Sequence, residues 1–183
     1  MDLFEIVNGY VVPSVHALLI EPFKSMWEKD TSNNNEDSIK IFTYIELMCS
    51  PKKSNPFIGY LEEERPAKVK KQVWGDEEYP IDTDTVFAIL KYKELLSESS
   101  PSYDLYISAV NAVQKLRSFL DTFDPDERNR SGTLVLKPKD ITSALKDLDE
   151  VGKNMESARD RVHTELIQSS KTRNQREIGD YER

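Results

Sequence analysis

The sequence predicts an all-α protein, a bundle of about five to six helices with a long projecting C-terminal helix. Three observations carry this. Between Ser100 and Phe123 the apolar residues fall on two adjacent helical lines, Tyr106, Val110, Val113 and Leu120 beside Tyr103, Ile107, Leu116 and Phe119, a stripe wide enough to face neighbours on more than one side. From Pro138 to Ser169 the residues Ile141, Leu145, Leu148, Val151, Met155, Ala158, Val162 and Leu166 recur at steps of three and four that alternate almost throughout, the spacing of a coiled-coil seam. Between these and the other periodic stretches lie segments rich in Pro, Gly and Asn, which interrupt helices.

Taken in order, residues 1–21 are β-branched and aromatic with a turn at Asn8-Gly9, which predicts a short extended segment near 5–12. Phe23, Met26 and Trp27 share a helical face, and the run DTSNNN at 30–35 ends that helix. Glu36–Cys49 is the next helix, with Ile39, Phe42, Ile45, Leu47 and Met48 apolar, so the two read as a helical hairpin. Two prolines and a glycine make Ser50–Tyr60 a loop. In Arg65–Trp74 an early proline and preceding acids suit a helix start, and Gly75 ends it. Asp82 is placed to cap Thr83–Ser97, with Ile81 and Val86 spaced as a hydrophobic staple and Val86, Ile89, Leu90 and Leu96 on its apolar face. The 100–123 helix follows, with Ser100 as its cap and Pro101 in its first turn. It reads as the central helix of the domain. Residues 133–136, TLVL, are a short strand or extended clip.

The final helix constrains shape. Its thirty-odd residues span roughly 45 Å at ~1.5 Å each, against a diameter of roughly 40 Å for a compact chain of this length. It must cross the globule or project from it. The division expected is therefore a helical core domain at 1–137, a long helix at 138–170 and a polar, flexible tail at 171–183.

A net charge of −8 excludes general nucleic-acid binding by the whole surface and leaves room for a local basic patch. A single cysteine, Cys49, cannot form an internal disulfide and sits in apolar company. The N-terminus is acidic and lacks a signal-peptide pattern, and no apolar run approaches the ~20 residues of a membrane span. A soluble, intracellularly made protein without membrane contact is expected.

Catalytic motifs are missing: there is no phosphate-binding glycine loop, no G-x-S-x-G and no H-E-x-x-H. His16 and His163 are far apart and without nearby cysteines, so a packing or surface role suits each. DTFDPD at 121–126 lacks the spacing of a calcium loop and reads as helix-end acids around a proline turn. No cofactor or metal is expected. Arg65, Lys68, Lys70 and Lys71 form the one concentrated basic cluster. It is either a docking site for an acidic face or a phosphate backbone, or a solvated helix face balanced by Glu62–Glu64.

The run from Glu21 to Lys71 resembles a pattern found in virion proteins of crAss-like tailed phages. In it a helix ending in an acidic loop (Trp27–Asp30) precedes a helix with F-x-Y-I (Phe42–Ile45). A loop holding S-P or N-P follows (Ser50–Tyr60), then E-E-R leading a basic helix (Glu63–Lys71). The helical remainder and the extended link before KPKDITSAL fit similarly. The resemblance implies a non-enzymatic structural protein forming a ring in the head–tail connector or tail barrel, located in the virion after synthesis in the host cytoplasm. Its implied partners are further copies of itself and the portal or neighbouring ring proteins. In such a ring Leu148, Val151, Met155 and Val162 would pack on a neighbour and the tail would thread to an adjacent ring. DNA would pass an acidic lumen without specific binding. The alternative is a regulatory or adaptor module that uses the long helix as a coiled-coil hook.

Overall fold

The computed structural model describes residues 3–7, 10–52, 54–60, 63–124, 126–128, 130–131 and 134–181, with 6, 7, 10, 138 and 169–181 described as backbone only. Among the described residues it is all-α apart from one hairpin and an isolated bridge. Strands β1 (Phe4–Val7) and β2 (Tyr10–Pro13) precede six α-helices: α1 (Phe23–Lys29), α2 (Glu36–Cys49), α3 (Arg65–Trp74), α4 (Thr83–Ser99), α5 (Tyr103–Thr122) and α6 (Pro138–Tyr181). The expected Asn8-Gly9 turn lies outside the described residues. Among the described residues no helix is long and apolar enough to cross a membrane. Two compact units form, one from Met1–Pro101 with His163–Arg183 and the other from Ser102–Val162, so α6 contributes to both.

The first unit is built around α2. Ser38, Phe42, Ile45 and Cys49 recur at steps of four, three and four along one buried face, flanked by buried Tyr44 and Glu46. The antiparallel hairpin pairs Phe4 with Pro13 and Ile6 with Val11, and its alternation buries Phe4 and Val11 while Glu5 faces out. Phe4 stacks between Phe42, at 5.2 Å, and Tyr92 of α4, at 5.3 Å, and meets the edge of Phe23 at 5.6 Å. Trp27 stacks on Phe42 at 6.2 Å. Each such ring contributes about 1.5–3 kcal/mol by burial and ~0.5–1.5 kcal/mol more per well-oriented ring pair.

The α1–α2 turn is stitched by its polar residues, which is why DTSNNN ends one helix and starts the next. Asn34 and Asn35 both take the left-handed conformation, at φ 55°, which asparagine tolerates better than most side chains. Asn35 donates its side-chain amide to the Trp27 carbonyl at 2.7 Å, and Ser38 donates its hydroxyl to the Met26 carbonyl at 3.0 Å. Asp30 accepts from the Ser32 and Ser38 amides, both at 2.7 Å. Burial by itself would raise the Asp30 pKa, but these hydrogen bonds from Ser32 and Ser38 outweigh it and hold the carboxyl at about 2. Because the folded value lies below the unfolded one of 3.8, this stabilisation is complete above the unfolded value and is lost as pH falls through about 2. The expected result is that Asp30→Asn, compared with the parent in acid titrations followed by circular dichroism, narrows the stability gap below pH 4. A gap of constant size across that range would show that Asp30 is not linked to acid unfolding.

Helix α3 ends as the sequence predicts, with Gly75 at φ 76° and its N–H bonded to the Lys71 carbonyl at 2.9 Å. Trp74 lies between Tyr44, at 5.2 Å, and Tyr79, parallel at 4.2 Å. Asp82 caps α4, accepting from the Thr85 amide at 2.7 Å. The expected apolar face of α4 holds at Leu96 and is corrected elsewhere: Thr85, Ala88, Tyr92 and Leu96 are its buried residues, Ile89 is half-buried, and Val86 and Leu90 are exposed. Tyr92 draws this face inward because its ring completes the Phe4 stack and its hydroxyl finds a buried partner, described below.

In the second unit α5 is not the central helix that its periodicity suggests. Its buried residues are Tyr103 and Tyr106, and Leu105 and Phe119 are exposed. It starts at Tyr103, not after Ser100, and its cap residue Ser102 makes no side-chain capping bond. Asp124 accepts from the Asp126 amide at 2.9 Å, an Asx turn in the DTFDPD stretch. The expected extended clip appears as an antiparallel bridge between Arg128 and Leu134, with the Val135 amide bonded to the Glu127 carbonyl at 2.9 Å; Thr133 lies outside the described residues. Helix α6 opens with half a capping box, the Asp140 carboxylate accepting from the Lys137 amide at 2.9 Å. Its 44 residues span about 66 Å. The backbone helix passes the expected end at 170 and reaches Tyr181, since no proline interrupts 171–181 and its Lys, Arg, Gln and Glu are good helix formers.

Candidate functional site

The four cations of α3 do not act together. Arg65 turns inward, donating from one terminal nitrogen to the Met48 carbonyl at 3.2 Å and from the other to the Ile58 and Tyr60 carbonyls at 3.3 and 3.1 Å. Lys68 and Lys71 both face Glu77, at 3.8 and 2.8 Å. The hydrogen bond and charge of Glu77 hold the Lys71 ammonium above its ordinary range, and Lys71 holds the Glu77 carboxyl below its own. Lys70 is half-buried. What the sequence presents as one patch is a loop clasp at Arg65 and a small surface ion network around Glu77, an acid just beyond the Gly75 end of the helix.

The seam of α6 is graded. Leu148, Val151 and Met155 are half-buried and Leu145 is exposed, whereas Ala158, Val162 and Leu166 are buried in the single chain. Val162 therefore has no surface left for a neighbour, and the open part of the seam is the stretch from Leu145 to Met155. Further along the helix, Glu165 accepts from the buried Ser100 hydroxyl at 2.6 Å, so the residue expected as a cap instead ties the end of α4 to α6.

The inward turn of α4 leaves an apolar stripe outside: Val86, Phe87 and Leu90 are 46%, 58% and 58% exposed. Phe87 and Leu90 form one wall of an open cleft of about 470 Å3, and Glu21 and Pro22 before α1 with Ser25 and Lys29 of α1 form the other. Asp84, Lys91 and Glu94 line the same mouth. A hydrophobic face read from periodicity alone would have been assigned to the core.

Buried polar chemistry is concentrated at the end of α2. Glu46 accepts from the Tyr92 hydroxyl at 2.5 Å through one oxygen and faces the Lys52 ammonium at 3.2 Å with the other. This joins α2, α4 and the loop after α2. Burial pushes the Cys49 thiol up to about 12, with Lys93 and Arg65 partly opposing and Glu46 reinforcing the shift. Such a thiol is protonated at neutral pH and is a poor nucleophile. Among the described residues no three His, Cys, Asp or Glu side chains cluster as a metal site. The arrangement can hold helices together and present apolar faces. No protein-family model matches the chain, and no curated protein or solved structure matches it.

Proposed function

We propose that this chain is a non-enzymatic structural subunit that assembles into a ring in the head–tail connector or tail barrel of a tailed phage. The observation that carries this is the half-open seam of α6: Leu145, Leu148, Val151 and Met155 continue the line of Ala158, Val162 and Leu166, yet the chain closes only the latter part over. A seam at steps of three and four is completed by a second helix. A neighbouring subunit supplies that helix face. The net charge of −8 suits a lumen through which DNA passes without sticking, and the portal or an adjacent ring would meet other surfaces.

The test is quantitative peptide mass spectrometry of purified particles against their portal protein. A copy number equal to the portal's, or a simple multiple of it, is expected. Val151→Asp with Met155→Asp should remove the protein from particles while its circular dichroism stays helical, because a charge on the open seam blocks the neighbour without entering the core. Absence of the parent protein from particles overturns the reading and leaves the adaptor role, with α6 as a coiled-coil hook.

A further inference from the structure

We propose that α4 pairs antiparallel with α4 of a second copy of this chain, about a two-fold axis close to Phe87 and Ala88. The stripe of Val86, Phe87 and Leu90 is the apolar centre of an exposed helix face. Asp84 lies three residues before Phe87 and Lys91 four residues after it. Being seven residues, two helical turns, apart, they stand on the same flank of the stripe. In an antiparallel pair centred between Phe87 and Ala88, residues of that flank face the same flank of the mate, so each Lys91 meets the other copy's Asp84. Both ion pairs form at once. The surface is thus self-complementary in charge about the same point where its apolar residues are centred, the property an isologous contact requires.

The cleft between α1 and α4 gives the ring of the mate's Phe87 a place beside Pro22 and Leu90. Lys91 is already 2.8 Å from Glu94 in its own helix, so in the pair its ammonium sits between two carboxylates, one from each copy. In a parallel pair each flank would face the mate's other flank at the same level, so Asp84 and Lys91 would not meet and neither ion pair would form. The occupant favoured by this pattern is a second α4. A two-fold contact closes on itself and cannot run around a ring, so this pairing is independent of the ring reading, and either can fail alone.

The experiment is sedimentation equilibrium of the full chain across a concentration series, with charge swaps. The parent is expected to sediment as a monomer–dimer system. Asp84→Lys alone and Lys91→Glu alone should each raise the dimer dissociation constant about tenfold or more, and the double variant should restore it, since the ion pairs return with exchanged signs. Circular dichroism accompanies each variant, because Asp84→Lys also opposes the dipole at the start of α4. A Phe87→Cys variant should cross-link to itself on oxidation, as only residues near a two-fold axis can. The buried Cys49 should not compete. A monomeric parent, or a dimer indifferent to both single swaps, overturns the proposal, as does a double variant no better than the single ones.

Discussion

Phe42→Ala is expected to lower the unfolding free energy by about 3–5 kcal/mol, a fall in melting temperature of roughly 10 °C for a chain of this size. The side chain is fully buried and its ring touches three others, stacked on Phe4 and Trp27 and edge-on to Phe23 at 6.2 Å. Removing it takes away the burial of a large apolar group and leaves a cavity that three rigid rings, held by one helix and a strand, cannot collapse into. Phe42→Leu should cost only about 1–2 kcal/mol, since it keeps most of the volume and loses the ring contacts. Urea unfolding followed by far-ultraviolet circular dichroism measures both. A cost under about 1 kcal/mol for the alanine variant would mean that the core is not organised around α2. The comparison with Phe119→Ala sharpens the test. Phe119 is 42% exposed, and its loss should stay within about 1 kcal/mol.

Replacing Arg65 should matter through the loop it clasps. Its terminal nitrogens hold three carbonyls from the end of α2 and the loop that follows, and hydrogen bonds from a charged donor are each stronger than neutral ones. Arg65→Ala is expected to cost about 2–3 kcal/mol and to speed cleavage by trypsin within residues 51–60, where the backbone would no longer be held. Arg65→Lys should recover little of this, because a single ammonium cannot reach carbonyls spread across the fork of a guanidinium. Were Arg65 instead a docking residue, its loss would leave stability and proteolysis unchanged and weaken only association. Lys68→Ala is the internal contrast: an exposed side chain 3.8 Å from Glu77 should contribute less than about 1 kcal/mol.

How much of this was legible in the sequence depends on the range of the interactions involved. The helices themselves are local events. Asp82 before a periodic run, Gly75 after one, the asparagine-rich turn and the Pro-Gly loop all act within a few residues, so the all-α class, the order of helices and the cap of α4 could be read directly. Composition also announced an extended segment at the N-terminus, though not that it pairs with itself as a hairpin. Which face of a helix goes inward is a different matter when both faces carry apolar residues. In α4 the choice is made by Tyr92, whose ring stacks on Phe4 and whose hydroxyl meets Glu46, partners 88 and 46 residues away by sequence number. Periodicity favoured Val86 and Leu90 because it counts apolar residues and cannot see such a partner.

The same distinction explains the site. The basic cluster of α3 was visible as composition, yet Arg65 is spent on carbonyls of α2 and the loop after it, contacts that exist only once the chain has turned back, and Lys71 on Glu77 just past the helix end. The seam of α6 was visible as spacing, yet where it closes is decided by tertiary packing, which buries Val162 and leaves Met155 half-open. By itself the sequence determined the helices, their order and the ends that Asp82 and Gly75 mark, because those follow from neighbours three or four residues apart. The tertiary structure alone decided which apolar faces were satisfied and which were left for a partner, because burial is a competition among all faces for one limited interior.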